Sequence, residues 1–120
     1  MTIKQLRSKC DKLWFGILIY KHPRCEVCGV ETQQIHHYWH KGSYGHLRYD
    51  LDNGIGLCMK HHSVLHFRDA KTIESIIIEK RGEKWNKELL LRARSAPTSF
   101  KNVSWYKSKI EILEAIYNKL

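Results

Sequence analysis

The chain has 120 residues, 42% hydrophobic and 28% charged, which is ordinary globular composition with room for one compact domain and excludes a disordered tail protein. Lys and Arg number 21 against 12 Asp and Glu, a formal net charge of +9. This excess favours a polyphosphate partner, although a basic balance by itself is equally typical of proteins that coat structural RNA or an anionic membrane.

No segment is predicted to cross or enter a membrane. The longest apolar stretch, residues 13–20, is too short to span a bilayer. The first four residues lack the small-residue cleavage site of a secretory signal. We therefore expect a soluble, intracellular protein with no membrane partner, in which the four cysteines do not form a disulfide framework.

The first predicted element is an amphipathic helix over residues 3–20, within an N-terminal section of residues 1–23. Apolar or small residues recur in steps of three and four, which places them on one helical face. They are Ile3, Leu6, Cys10, Leu13, Ile17 and Tyr20. Pro23 favours an end of the helix just before it. Cys10 is interpreted as a small buried hydrophobe.

The central section, residues 24–67, carries most of the Cys and His residues. Short apolar runs at residues 34–39 and 55–57 predict two strands, joined by a loop that contains Gly and Tyr. A section of about 40 residues can bury little core by itself, so the flanking helices are expected to frame it.

The C-terminal section, residues 68–120, is predicted to be helical. Helical periodicity runs over residues 70–77, is interrupted at Gly82, and resumes over residues 85–93. A break at residues 96–98 precedes a last helix. The residues predicted to share its apolar face are Tyr106, Ile110, Leu113, Tyr117 and Leu120.

Two metal-ligand pairs predict a structural zinc site. Cys25 and Cys28 form a C-x-x-C pair, and Cys58 with His61 repeats the spacing. A Cys3His set satisfies tetrahedral zinc and leaves no open coordination position. A C-x-x-C pair alone would also suit a thioredoxin-like redox pair or two buried thiols, and the second half-site favours zinc over both.

A second cluster predicts a different kind of metal site. His62 and His66 stand at i and i+4, on one helical face. His61 and His62 point about 100° apart, so they serve different ions. His36 and His37 lie in a predicted strand, where neighbouring side chains face opposite ways.

One member of the strand pair can therefore join the metal site while the other faces a substrate. A three-His site leaves coordination positions for water and a phosphate oxygen. A neutral, unligated His beside it is a suitable general base. Asn53 can hydrogen-bond across the loop and fix the strand that bears the base. His22, His40 and His46 lack such partners and are interpreted as surface or groove residues.

These motifs together resemble the HNH, or ββα-metal, nucleases, and more loosely the small phage HNH proteins of the NinG recombination type. The matching pieces are Cys25-x-x-Cys28, Gln34-Ile35-His36-His37, residues 47–53, and Leu57-Cys58-x-x-His61-His62 with His66. The resemblance implies an α+β fold: a zinc-stapled ββα-metal core over residues 24–67, framed by the N-terminal and C-terminal helices.

The same resemblance implies a role for each matched residue. It makes His37 the general base, gives Asn53 the positioning of the loop, and makes His62 a ligand of the catalytic ion. His36 and His66 match the further ligands of members with a His-His pair and an H-x-x-x-H helix. The chain departs from the family pattern in two places, because many members have Asp at the position of His36 and Cys at that of His61.

The implied function is a metal-dependent endonuclease that hydrolyses DNA phosphodiester bonds and leaves 5′-phosphate and 3′-hydroxyl ends. The cofactors would be a structural Zn²⁺ and a divalent catalytic ion, for which imidazole ligands favour Mn²⁺, Co²⁺, Ni²⁺ or Zn²⁺ over Mg²⁺. The partner would be duplex or branched DNA, in the cytoplasm of a bacterial host of a phage or prophage. The sequence leaves three alternatives open: whether the enzyme nicks or cuts both strands, whether it acts on DNA or RNA, and whether it forms a homodimer or a complex with other phage proteins.

Basic and aromatic residues near this centre are predicted to contact DNA. Arg48 is the first choice near the cut, because its loop lies between the base and Asn53. The other predicted DNA-contacting residues are Lys41, Lys60, Arg68, Tyr38, Trp39 and Tyr44, the cations through phosphates and the aromatics through stacking.

Two other functions compete with the nuclease. A non-catalytic, zinc-stabilised nucleic-acid-binding module would fit the Cys3His set and the charge equally well, but it would not explain the histidine cluster with Asn53. A nuclease toxin that needs an immunity partner is the third hypothesis.

Overall fold

The computed structural model describes all residues, 1–120, and contains five helices and one two-stranded sheet. The elements in chain order are α1 (Ile3–Lys21), β1 (Gln34–His37), β2 (Gly54–Leu57), α2 (Met59–Phe67), α3 (Ala70–Arg81), α4 (Glu83–Arg94) and α5 (Val103–Tyr117). The predicted α+β class is confirmed. No helix has both the length and the apolar content that a bilayer span requires.

Helix α1 buries a wider face than the sequence pattern predicted. Thr2 and Gln5 form a capping box at its start. Trp14 and Leu18, which the pattern left out, are buried, whereas Ile3 and Tyr20 are 38% and 64% exposed. The reason is that α1 packs on two partners, α5 and the sheet, so its apolar face turns beyond one stripe.

Strands β1 and β2 are antiparallel, with His36 opposite Ile55 and His37 opposite Gly54. The first strand ends at His37, two residues before the predicted end. The Asn53 side chain accepts a hydrogen bond from the backbone N–H of Trp39. This N–H is therefore not available to extend the hydrogen-bonded pairing of β1 with β2. A Cβ at Gly54 would overlap the side chains of Leu18 and Trp14, so glycine lets α1 lie directly on the sheet.

Helices α2 and α3 cover the other side of the sheet, and α4 packs on α3 and on the loop between the strands. Ile73 and Ile77 of α3 pack with Ile55 and Leu57 of β2 in one buried cluster. Gly82 has a φ of 98°, a conformation that favours glycine, and it separates α3 from α4 where the periodicity predicted an interruption.

Helix α5 packs along α1. Tyr106, Ile110 and Leu113 are buried as predicted. Tyr117 and Leu120 are 48% and 44% exposed, so these two residues of the predicted apolar face lie outside the core. Tyr117 lies over Gly16 at the rim of the α1–α5 contact, and Leu120 lies beyond the end of the helix.

Candidate metal centres

Three cysteines and one histidine meet at the first centre. The turn that carries Cys25 and Cys28 is closed by a hydrogen bond from the Gly29 N–H to the Cys25 carbonyl. Gly29 has a φ of 80°, which this tight turn requires. Cys58 is the N-cap of α2, and its sulfur accepts the backbone N–H of His61.

The spacing of the four donor atoms suits tetrahedral zinc. They lie within 4.8 Å of one another. Cys58 Sγ is 3.3 Å and Cys25 Sγ 3.8 Å from His61 Nδ1, and Cys28 Sγ is 3.8 Å from Cys58 Sγ. Zinc–sulfur bonds of about 2.3 Å at tetrahedral angles put two sulfurs about 3.8 Å apart. The cluster can therefore hold a metal such as zinc, as the sequence spacing predicted.

The Cys25 thiol is prepared for metal binding. Burial opposes its ionisation, but hydrogen bonds from the backbone of Cys58, Cys28 and Val27 outweigh burial and lower its pKa to about 6. The thiolate, which is the form that binds zinc, is therefore favoured at neutral pH.

A buried ion pair ties this centre to the rest of the fold. The Arg81 guanidinium donates to both carboxylate oxygens of Glu26 at 2.7 Å, and Glu26 also accepts the N–H of Gly56 at 2.8 Å. Arg81 further donates to the Gly54 carbonyl at 2.8 Å. The turn of Cys25 and Cys28, β2 and α3 are thus joined through one pair of side chains that sequence reasoning missed.

Three imidazoles meet at the second centre, between β1 and α2. His62 Nε2 and His66 Nε2 are 3.1 Å apart, and the His36 ring lies edge-on to both. One nitrogen from each ring falls within 4.8 Å of the others. Two nitrogens bound to one ion at about 2.1 Å stand roughly 3 Å apart, so the donor set fits a divalent ion.

Burial favours the neutral, metal-binding form of the His36 and His62 rings. Burial, together with the neighbouring rings of His66 and His62, lowers the pKa of His36 to about 4. Burial and the His66 ring also lower the pKa of His62. Neutral imidazole is the form that binds a metal ion.

His37 lies beside this centre but outside its donor set. It lines the same cavity, of about 190 Å³, as His36, His62 and His66. Its Nε2 is 3.0 Å from the Arg48 carbonyl, and a carbonyl only accepts. Nε2 therefore carries the proton and Nδ1 keeps its lone pair. Burial lowers the pKa of His37 to about 4 despite the Arg48 hydrogen bond, which raises it, so the ring is neutral at pH 7.

Asn53 is fully buried directly before β2 and holds the loop between the strands. Its Oδ1 accepts the Trp39 N–H at 2.7 Å, and its Nδ2 donates to the carbonyls of Trp39 and Leu47 at 3.0 and 3.2 Å. The backbone carbonyl of Asn53 accepts the Tyr38 N–H at 2.8 Å. These bonds fix the loop directly after His37.

Arg48, the first predicted DNA contact, is already engaged. Its guanidinium donates to both oxygens of Asp11 in α1, at 3.0 and 2.9 Å. The structure therefore gives Arg48 a role in joining the loop to α1. The sequence did not reveal this contact, because Asp11 and Arg48 stand in different predicted elements.

The predicted aromatic contacts pack within the protein. Tyr38 lies 5.0 Å from the Trp85 ring of α4, and Trp39 lies 4.8 Å from the Tyr44 ring, measured between centroids. All three predicted residues are half-buried. Their stacking on bases stays a prediction, and their packing here stiffens the loop between the strands.

The predicted lysine and arginine contacts are exposed. Lys41, Lys60 and Arg68 form no ion pair, and Lys41 lines the cavity over the three imidazoles. His40, interpreted as a surface or groove residue, lines the same cavity. His22 lies beside Arg81, and His46 Nε2 donates to the Arg92 carbonyl, so neither joins a metal cluster.

No protein-family model, curated protein or solved structure matches this chain.

Proposed function

We propose that this protein is a metal-dependent endonuclease of the HNH type that hydrolyses DNA phosphodiester bonds. The observation that carries the proposal is one cavity lined by three converging imidazoles and a fourth, His37, whose Nδ1 is free to accept a proton. A cluster of metal ligands beside an unligated base is the arrangement that metal-assisted hydrolysis requires.

His36, His62 and His66 would hold the catalytic divalent ion. When bound, such an ion supplies Lewis-acid stabilisation of the charge that develops on a phosphate. His62 and His66 come from one face of α2 and His36 from β1, so the three ligands are set by the packing of that helix on that strand.

His37 acts as the general base. Its Nδ1 takes a proton from the attacking water, and the hydrogen bond from Nε2 to the Arg48 carbonyl keeps the ring in the tautomer that this step needs. The bonds of Asn53 hold the loop that carries this carbonyl. The expected products carry 5′-phosphate and 3′-hydroxyl ends, as in the family that the motifs resemble.

The order of the elements supports the family assignment. Cys25 and Cys28 precede β1, β1 and β2 form a hairpin, and α2 follows directly with the remaining ligands of both centres. The Cys3His cluster would hold a structural Zn²⁺ that fixes the start of α2, and with it His62. The NinG-type relationship and a bacterial host cell rest on the sequence motifs alone.

A non-catalytic nucleic-acid-binding module is the second candidate. The net charge of +9 and the exposed cations favour it as much as they favour a nuclease. It gives no role to the free Nδ1 of His37. A nuclease toxin would share the site, and growth inhibition on expression would distinguish it.

The test is a plasmid-nicking assay with zinc-loaded protein and added Mn²⁺, Mg²⁺, Co²⁺ or Ni²⁺. We expect metal-dependent nicking that His37→Ala lowers by about 10²- to 10⁴-fold, the usual contribution of a general base. His46→Ala, outside the cavity, is the matched control and should nick like the parent. Tight DNA binding by the parent without nicking would assign the binding module instead, and full activity of His37→Ala would reassign the base.

A further inference from the structure

A second cavity, of about 270 Å³, lies between α1, the loop that joins the strands, and the start of α5. Four cationic side chains line it: Arg7, Lys41, Arg48 and Lys101. No carboxylate lines it. Trp105 and Tyr106 of α5 form its apolar wall. The sequence predicted DNA contacts for Lys41 and Arg48, but not for Arg7, Lys101 or α5, which lie outside the motif-bearing section of the chain.

Most of the charge in this cavity is uncompensated. Only Arg48 has an ion-pair partner, Asp11, whereas Arg7, Lys41 and Lys101 form no ion pair. The Arg7 guanidinium lies 5.9 Å from the centroid of the Tyr106 ring. The Lys101 ammonium lies close to the loop backbone at Gly45: its Nζ is 3.4 Å from the position that a Cβ would occupy on this glycine. Like charges held around one concavity raise the local concentration of anions.

The basic cavity adjoins the cavity over the imidazoles. His40 and Lys41 line both. A strand with one phosphate over His36, His62 and His66 can therefore continue past Lys41 toward Arg7 and Lys101. A free phosphate ion would need neither this neighbouring cavity nor the row of cations.

We propose that the basic cavity is a second phosphate-binding subsite, which holds the phosphodiester backbone of the DNA strand on one side of the cleaved bond. The inference rests on the proposed function for the neighbouring centre. It gives α1 and the segment before α5 a role in binding substrate: Arg7 and Lys101 contact backbone phosphate, and Lys41 bridges the two sites. Contacts of this kind position a strand without reading its sequence.

The test measures how salt weakens DNA binding by a chain with two cations removed. The double variant Arg7→Gln/Lys101→Gln removes both charges and keeps the first two methylene groups of each side chain. The matched control, Lys87→Gln/Lys119→Gln, removes the same charge from exposed, unpaired lysines that line neither cavity. All chains carry His37→Ala to prevent cleavage and are zinc-loaded, and a labelled DNA duplex is the probe in an anisotropy titration.

We expect the dependence of log affinity on log salt concentration to become shallower by about 2 in Arg7→Gln/Lys101→Gln, one for each phosphate that the variant no longer neutralises. The control pair should keep the slope of the parent. Equal slopes for the two double variants, or no DNA binding by the parent, would overturn the subsite. Isothermal titration calorimetry with inorganic phosphate tests the alternative ligand. If Arg7→Gln/Lys101→Gln abolishes the binding heat but leaves DNA binding unchanged, the cavity is a site for free phosphate, and the proposed subsite is overturned.

The subsite and the nuclease fail in different ways. Nicking by the wild-type chain together with equal slopes would remove the subsite and leave the nuclease standing. A shallower slope in a chain that never nicks DNA would support the subsite and remove the nuclease. Equal melting temperatures of the two double variants ensure that the slopes compare folded proteins.

Discussion

The ring of His37 stacks face to face on the indole of Trp14, with centroids 4.1 Å apart and planes inclined by 8°. Trp14 is itself fixed, because it is 3% exposed and its Nε1 donates to the Asp50 carbonyl at 3.0 Å. Helix α1 therefore supplies one wall for the proposed base, and the Arg48 carbonyl holds the ring edge. The stack and the hydrogen bond together leave the imidazole little freedom to turn.

Trp14→Leu should impair cleavage through the position of His37. Leucine removes the flat surface under the imidazole, and misplacement of a catalytic group commonly costs roughly tenfold to a hundredfold in rate. Trp14→Phe keeps a ring at this place and should cleave within a few-fold of the parent, although it removes the hydrogen bond to Asp50, worth about 1 kcal/mol. Single-turnover nicking rates, at a temperature where both variants are folded and zinc-loaded, check this. Equal rates for the Leu and Phe variants would mean that the stack does not position the base.

Asn53→Asp should be more harmful than its small change in shape suggests. The amide nitrogen that donates to Trp39 and Leu47 becomes a carboxylate oxygen facing two carbonyls in a fully buried place. We expect the free energy of unfolding to fall by about 3 kcal/mol or more, since several buried polar groups are left without partners. Urea unfolding measures it, and Asn86→Asp on α4 is the control. A stable Asn53→Asp chain would show that the loop is held by other contacts.

Glu26→Gln should destabilise the protein although Glu26 ligates nothing. The side chains of Glu26 and Arg81 are 6% and 12% exposed, and removing one charge leaves the other buried without its partner. Breaking such a pair costs about 3–5 kcal/mol. The control is Glu88→Gln, which breaks the exposed Lys84–Glu88 pair and should leave the unfolding free energy nearly unchanged. Similar denaturant midpoints for both variants would contradict the prediction.

Both metal-ligand clusters could be predicted because their information is local. Cys25 with Cys28, Cys58 with His61, and His62 with His66 are each separated by three or four positions, and a turn or helix brings such pairs together whatever the rest of the chain does. Side chains alternate between the two faces of a strand, so the predicted strand assigned one member of the His36–His37 pair to the second cluster. A prediction from such short spacings holds even where an element boundary is predicted wrongly, as for the first strand, which ends at His37.

The contacts that orient these clusters were not predictable in the same way. Trp14 under His37, Asp11 on Arg48, and Arg81 on Glu26 each join residues from different elements. They depend on how α1 and α3 cross the sheet, which periodicity does not specify. The pattern placed Trp14 outside the apolar face of α1, because one stripe cannot describe a helix that packs on both α5 and the sheet.

Cys10 should differ from the other three cysteines in its reaction with iodoacetamide. It is fully buried, and burial, with the Asp11 carboxylate beside it, raises its pKa to about 11. At pH 8 its sulfur is therefore protonated, and the protonated thiol is not the nucleophile. In the zinc-loaded protein we expect all four thiols to react slowly. A chelator should release Cys25, Cys28 and Cys58 for fast reaction, and Cys10 should react only when denaturant is added. Mass spectrometry of the alkylated chain counts the modified thiols. The control Cys10→Ala should lose only the modification that requires denaturant. Fast modification of Cys10 in the zinc-loaded chain, or of all four thiols without a chelator, would contradict the two environments that the structure gives them.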